Sequence, residues 1–579
     1  MTMLTKWGAA LDRSCPLPEY PRPQLRRESF YNLNGVWDYA VTPSGDEPEV
    51  WDGEIVVPFS PEAPLSGAAR GPAKDEYLHY RRGFTLPEGF QKSRVLLHFG
   101  AVDQIAEVFV NGVSAAKHSG GYWPFSADIT SLLREGENIL RVTVRDNADD
   151  PTFAYGKQRY KRGGMWYTAQ SGIWQTVWLE SVPEVYVKSL RITPEFDEAR
   201  VRIELETALE SSAAITCDVR AADGSFVAGS WAKGGVCVVP LPGFRAWTPD
   251  DPYLYTLDIT CGEDRVESYF AMRKFSYVEL GGHKVFGLNN APLFHNGLLD
   301  QGYYPDGLLT PPSDEAMVND IETMKRCGFN MLRKHIKIEP LRWYYHCDRL
   351  GMIVWQDMVS GGQPYSFLHV SALPMLGKVD LPDQDAKPYG RSGVLSRARF
   401  RREMADTVRL LYNCPCIALW TVFNEGWGQF DALDMANELK KLDPTRFIDH
   451  ASGWQDQGYE EMKSRHIYFR PVKLKNDGRA LALTEYGGYI LAVDGHRWTD
   501  KVFGYRICRD SAALAHDYEK LMLGQVLPHI RKEGLTAAVY TQITDVEEEL
   551  NGLMTYDREV LKIPEETLRE INAALRFDA

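Results

Sequence analysis

Two glutamates close two apolar stretches and carry the chemistry of this chain. The first stretch, Ile417 to Phe423, runs into Asn424 and Glu425, with Gly426 and Trp427 behind them. The second, Ala480 to Leu483, runs into Thr484, Glu485, Tyr486, Gly487 and Gly488. Such apolar runs predict strands buried on both faces, as in a parallel sheet flanked by helices. Burying an ionised carboxylate at the mouth of such a strand costs on the order of several kcal/mol unless it is paired. Glu425 is therefore half of a structural ion pair or a reacting group. The repetition favours reaction, because two strand ends of one sheet can face each other across a cleft.

No convincing nucleophile triad or metal cluster accompanies the pair, which selects a short list of reactions headed by glycoside hydrolysis. In the retaining form, one carboxyl group keeps its proton in an apolar setting and protonates the leaving oxygen. The other, about 5 to 5.5 Å away, attacks the anomeric carbon. Trp420, Phe423 and Trp427 disfavour a charge on Glu425 and suit it to the acid role. Glu485 is expected near Tyr486, Tyr468 and Arg333, whose hydroxyl and guanidinium groups would hold it ionised as nucleophile.

The elements that must position these groups fall into three blocks, expected at residues 1–181, 182–275 and 276–579. The first reads as short alternating strands separated by turns, among them Arg94 to Phe99, Ala106 to Val110 and Ile139 to Val144. It predicts a jelly-roll-like β-sandwich. Aromatic residues crowd Gly121 to Phe125, Gly164 to Tyr167 and Ser171 to Trp174; most are expected to fill the core, a minority to stack on a ligand. The second block has the size and alternation of an immunoglobulin-like sandwich. Its Trp247 to Tyr255 segment, rich in proline and aromatics, reads as a turn leading into an edge strand.

After Gly281 and Gly282 the period changes to strands alternating with amphipathic helices. Eight candidate strands are Pro292 to Asn296, Phe329 to Arg333, Met352 to Trp355, Ile417 to Phe423, Phe447 to His450, His466 to Phe469, Leu481 to Thr484 and Ala537 to Gln542. Helices are expected at Ser313 to Cys327 and Arg399 to Tyr412. That count and length predict a (β/α)8 TIM barrel, whose active site lies at the C-terminal strand ends, where Glu425 and Glu485 fall after the fourth and seventh strands.

Bulk properties exclude some classes. At 579 residues the chain exceeds one core. A net charge of −14 and a pI near 5.5 disfavour nucleic acid, whose binding relies on clustered cations. No apolar run reaches the roughly 18 residues of a spanning helix, so no membrane partner is expected, and the first fifteen residues lack a signal-peptide core. The nine scattered cysteines read as reduced core residues of a cytoplasmic protein. Cys414 and Cys416 are one residue too close for a CxxC site. The expected partner is a carbohydrate, with no cofactor and no metal; the oligomeric state stays open, a homo-oligomer among the outcomes.

The ordered set of motifs resembles glycoside hydrolase family 2, the family of β-galactosidases, β-glucuronidases and β-mannosidases. Besides Asn424-Glu425 and Thr484-Glu485-Tyr486-Gly487-Gly488, the matching stretches are Leu33 to Trp37, Ala101 to Asp103 with Val110 to Gly112, Gly328 to Arg333, Cys347 to Gly351, and Tyr540 to Glu547. The resemblance covers nearly the whole chain. It implies a retaining, exo-acting hydrolase with Glu425 as acid/base, Glu485 as nucleophile, Asn424 as partner of the sugar 2-hydroxyl, Tyr468 beside the nucleophile, and Asp103 reaching the sugar from the first domain. Arg333, His335 and Trp454 join the expected substrate-binding set.

Two departures bear on the sugar. Many relatives carry Arg-x-x-His-x-Pro after the second strand; here the text is Arg333-Lys334-His335-Ile336-Lys337-Ile338-Glu339-Pro340. Typical β-glucuronidases also carry Asn-x-Lys just before the glycine corresponding to Gly552, where this chain has Glu549-Leu550-Asn551. Without that clamp, a galacto-configured sugar is favoured, as galactoside or galacturonide, over the glucuronide. Lys337, Arg470 and Lys473 near strand ends are the candidate cations for a uronate, weighed against solvated surface charge. Two other classes compete: a carbohydrate-binding protein that has lost the reaction, which would lack one glutamate, and a metal-binding barrel, which would need further His or Asp ligands.

Overall fold

The computed structural model describes residues 3–209, 214–375 and 380–578. Its first unit packs two antiparallel sheets. Six strands run in the spatial order Gly53–Val57, Gly35–Thr42, Tyr77–Thr85, Glu137–Arg145, Ile105–Val110 and Val113–Ser119. Against them lie Phe30–Asn32, Val177–Val182, Arg94–Phe99 and Phe125–Asp128. Alternation decides which side chains enter the core: along Glu137–Arg145, Leu140, Val142 and Val144 point inward onto Trp37, Leu97 and Val108.

The second unit sets three strands, Val187–Glu195, Arg200–Thr207 and Val236–Pro240, against four, Phe226–Trp231, Ile215–Arg220, Tyr255–Cys261 and Asp264–Phe270. The sequence reading expects an edge strand after the proline-rich turn, and the structure places an interior strand there. Tyr255–Cys261 pairs on both sides. Pro249 and Pro252 precede it and so remove no ladder hydrogen bond. Arg27 bridges the two sandwiches, forking onto Asp264 at 2.9 Å and reaching Glu180 at 3.0 Å.

The third unit is a parallel barrel of eight strands: β1 His295–Asp300, β2 Met331–Lys334, β3 Ile353–Asp357, β4 Ile417–Thr421, β5 Phe447–Asp449, β6 Met462–Ile467, β7 Ala480–Gly487 and β8 Leu535–Thr541. They follow the order β5-β4-β3-β2-β1-β8-β7-β6, a nearly closed ring. Three strands differ most from the sequence reading, and one of them, β7, runs past Thr484 to Gly487, so that Glu485 lies inside the strand and not after it. β1 begins at His295, not Pro292, because Ala291–Pro292 pairs back onto Gly287 and Leu288 of a preceding hairpin, Phe275–Leu280 with His283–Leu288, whose tight turn is made by Gly281 and Gly282, both with positive φ. That hairpin drives Phe286 into the closed end of the barrel, stacked on Phe447 at 4.3 Å. β6 starts four residues before His466, since Lys463 and Arg465 alternate outward and hide its strand character.

The helices follow the amphipathic pattern. Asp314–Arg326 is capped by Ser313, whose hydroxyl accepts Ala316 N, and buries Met317, Ile321 and Met324. Val394–Leu411 begins five residues before the expected Arg399. Eight cysteines are buried and Cys15 is exposed, none in a disulfide among the described residues. No described helix is long and apolar enough to cross a membrane.

Candidate active site

The mouth of the barrel is organised around Arg333 at the end of β2. Its side chain is fully buried, which alone would weaken its charge, yet Asp357 and Glu485 more than compensate and keep it a cation. Nε and Nη2 fork onto the two oxygens of Asp357, at the end of β3, both at 3.0 Å. Nη1 donates to Glu485 Oε1 at 3.1 Å and to the Thr484 carbonyl at 3.1 Å. Nη2 also donates to Asn424 Oδ1 at 2.8 Å. One guanidinium thus fixes groups from β3, β4 and β7, with five donors in a rigid plane.

Glu485 lies within β7, and its second oxygen accepts the Tyr468 hydroxyl at 2.5 Å. That hydroxyl also meets Thr541 Oγ1 at 3.0 Å, and the Tyr468 ring stacks on Tyr505 at 3.9 Å. Both oxygens of Glu485 therefore face donors, the arrangement that favours a carboxylate.

Glu425 is held differently. Beyond β4 the backbone stays extended, Ser452 N donating to Phe423 O at 2.8 Å and Glu425 N to Ser452 O at 2.9 Å. The chain then turns sharply with Glu425 itself at φ 55°, a strained setting for a residue with a Cβ, costing about 1 kcal/mol. Trp454 Nε1 donates to the Glu425 carbonyl at 2.9 Å and holds that turn. The carboxyl meets His466 Nδ1 at 2.8 Å. Burial raises its pKa; Lys157, His335 and Arg333 oppose that without cancelling it. The donor atoms of Glu425, His466 and Glu485 all lie within 4.8 Å of one another. A cation on this trio would have to displace Arg333 and Tyr468, which already occupy Glu485.

The expected site residues separate into groups. Glu425, Glu485, Asn424, Arg333, Tyr468 and Trp454 form one network. His335 joins it through Nδ1, 2.7 Å from Asp357 Oδ2, leaving Nε2 without a protein partner among the described residues. Asp103 is buried and pushed up to about 7 by that burial, and Gln158 Nε2 donates to it at 3.0 Å. No hydrogen bond joins it to either glutamate among the described residues. Lys337 does not reach the cleft: its ammonium is 1% exposed and donates to Gly302 O, Leu309 O and Glu339. Arg470 is exposed and, with Lys473, lines a basic hollow of about 290 Å³ whose inner wall includes Trp454 and His466.

Sequence reasoning missed His466, Asp357 and a loop of the first unit. Asp357 ends an apolar strand as Glu425 does, a signal that was present. The loop, around residues 155–168, enters the barrel mouth because Tyr155 N and Gly156 N donate to Ser360 O at 3.1 and 3.0 Å. It sets Trp166 edge-on to Trp427 at 5.1 Å and Tyr167 Oη 2.5 Å from Glu549 Oε2.

Three family models match the chain in succession. Residues 64–183 match the sugar binding domain of glycosyl hydrolases family 2, residues 185–273 match glycosyl hydrolases family 2, and residues 311–474 match its TIM barrel domain. A β-galactosidase of Thermoanaerobacter pseudethanolicus is 25% identical over 63% of this chain and 47% of its own length. The chain spans about half the length of the curated β-galactosidases it matches. Among solved structures, a Bifidobacterium dentium β-glucuronidase complexed with coumarin-3-O-glucuronide is 18% identical, covering 95% of this chain and 98% of that one at a TM-score of 0.74. A β-galacturonidase from Eisenbergiella tayi bound to galacturonate is 18% identical over 96% and 99%, at 0.71. Both share the fold. With the three models in their order along one chain, and a sandwich, a second sandwich and a barrel to match, the protein belongs to glycoside hydrolase family 2.

Proposed function

We propose that this chain is a retaining, exo-acting β-glycosidase that removes a terminal non-reducing galacto-configured sugar, as galactoside or galacturonide. The observation that carries it is that one oxygen of each carboxyl group lies within 4.8 Å of the other's, in unlike surroundings. Inverting enzymes separate the pair by roughly 6.5 to 9.5 Å to admit a water between them. Glu485, held as a carboxylate by Arg333 and Tyr468, attacks the anomeric carbon. The bond to the aglycone breaks with its electron pair on oxygen, and the proton of Glu425 passes to that oxygen. Glu425, now a carboxylate, takes a proton from water as the water oxygen attacks the same carbon and releases Glu485. Asn424 keeps its amide free to donate to the 2-hydroxyl, because Arg333 occupies only its carbonyl oxygen.

The galacto reading rests on the loop after β8. Where glucuronidases carry their clamp, Glu549 accepts from Tyr167 and Gln542, and Asn551 accepts from Gln542 at 2.8 Å. The β-glucuronidase reading draws support from the solved glucuronidases, which align with 95–96% of this chain. A panel of nitrophenyl β-glycosides, with galactoside, galacturonide, glucuronide and mannoside, tests the choice. The galactoside or galacturonide is expected to be the best substrate; a clear preference for the glucuronide overturns the galacto reading. Product anomer analysis by NMR tests retention.

A further inference from the structure

The buried cations near the cleft are nearly all engaged, whereas Arg470 and Lys473 stand exposed in the neighbouring hollow. Arg333 serves Asp357, Glu485 and Asn424; Lys334 bridges Asp300 and Glu339, both at 2.7 Å; Lys337 is held by carbonyls and Glu339. Arg159 faces Asp149 at 3.6 Å and stacks over Trp166 and Tyr155. Lys157 is the exception. It is 8% exposed, yet among the described residues its ammonium makes no hydrogen bond and no ion pair, and it stands 5.6 Å from the Trp166 ring. The stem is buried, while the nitrogen is not among the enclosed polar atoms that lack a partner, so its three donors are open to an acceptor from the cleft.

Its backbone fixes where those donors are. The carbonyl of Lys157 accepts Tyr167 N at 2.9 Å. Tyr167 bonds Glu549, on the loop after β8, and the neighbouring Trp166 packs on Trp427, two residues beyond Glu425. Lys157 therefore hangs over the cleft between the loop carrying the proton donor and the loop where relatives keep their carboxylate clamp. Its charge is the strongest cationic influence on both Glu425 and Glu549, although it touches neither.

On this basis, and resting on the glycosidase reading above, we propose that Lys157, reaching in from the first unit, binds the C6 carboxylate of a uronic acid and so selects a uronide over the matching neutral sugar. An ammonium on a flexible stem suits a single carboxylate oxygen, and the C6 group is the point at which a uronide and its neutral counterpart differ. The clamp missing after β8 is thereby supplied by another domain.

The test compares kcat/KM on four nitrophenyl substrates, the β-galacturonide, β-galactoside, β-glucuronide and β-glucoside, for the unmodified protein, Lys157→Met and Lys157→Arg. Each variant is assayed at its own pH optimum, since removing the charge alters Glu425. The unmodified protein is expected to prefer a uronide to its neutral counterpart. Lys157→Met is expected to lose at least tenfold more on that uronide than on the neutral sugar, with the loss in KM exceeding that in kcat, and Lys157→Arg to recover part of it. Calorimetric titration of the free uronate should show matching weakening in a variant whose thermal unfolding is unchanged. Equal losses on both substrates, or a protein that turns over neutral glycosides alone, would overturn the proposal and leave the glycosidase reading standing. No turnover of any aryl β-glycoside would sink that reading instead.

Discussion

His466 Nδ1 stands 2.8 Å from Glu425 Oε1, and the imidazole is neutral, because burial pulls its pKa down to about 3. The contact is therefore a hydrogen bond and not an ion pair. With the ring hydrogen on Nε2, 3.2 Å from Ser452 Oγ, Nδ1 is free to accept from Glu425 whenever that carboxyl carries its proton. That geometry aims the carboxylic acid while Glu485 Oε2 waits 3.6 Å from the same nitrogen. His466→Ala should depress kcat about 10- to 100-fold on alkyl glycosides, whose leaving groups need the proton, and less on nitrophenyl glycosides. Equal losses across leaving groups of different basicity would remove His466 from the acid step.

The raised pKa of Glu425 gives the activity a sign with pH. A group with an elevated pKa keeps its proton until the pH rises through that value, so kcat/KM should fall on the alkaline side as the acid is lost. Lys157 is the largest charge lowering that pKa, so Lys157→Met should move the alkaline limb to higher pH. A limb that stays in place, or moves down, would mean that another group sets it.

The two glutamates should separate under azide. Glu485→Ala is expected to abolish turnover of every substrate, since the nucleophile is needed for all, and azide should not restore a β-configured product. Glu425→Ala should still form the glycosyl-enzyme from an activated aryl glycoside and then stall, and azide should release it as the β-glycosyl azide. Recovery of the β-azide from the Glu485 variant would exchange the roles.

Arg333→Ala should damage stability and activity together. It leaves Asp357, whose buried carboxylate Arg333 and His335 pull down to about 2, without its main partner. Breaking a buried pair from one side costs about 3 to 5 kcal/mol, readable as a lower urea midpoint at constant slope. Activity should fall at least about 100-fold, because Glu485 and Asn424 lose the same support. A variant of unchanged stability would show that Asp357 finds another donor.

Asn424→Ala tests the 2-hydroxyl contact. On the parent glycoside the loss should be about 2 kcal/mol in transition-state binding, and on the 2-deoxy glycoside close to zero, because the lost donor then has no partner to miss. Similar losses on both would make Asn424 a support for Arg333 alone.

Much of this was legible along the chain. Strand alternation disclosed both sandwiches, and apolar runs ending in Glu425 and Glu485 marked the two carboxyl groups, because a buried charge at a strand end stands out against its neighbours whatever the fold. Asp357 carried the same signal. Strand boundaries were less legible where charged residues alternate outward, as Lys463 and Arg465 do in β6. What the sequence could not decide was which side chains meet. His335 and Lys337 are two residues apart, yet the strand end turns one onto Asp357 and the other onto Glu339. Lys157 lies 268 positions before Glu425 and gave no local sign. Only the docking of the first unit on the barrel, through Tyr155 and Gly156 onto Ser360, carries its ammonium to the cleft. Local periodicity is set by neighbours a few residues away, whereas a site between domains is set by contacts that no short window of sequence contains.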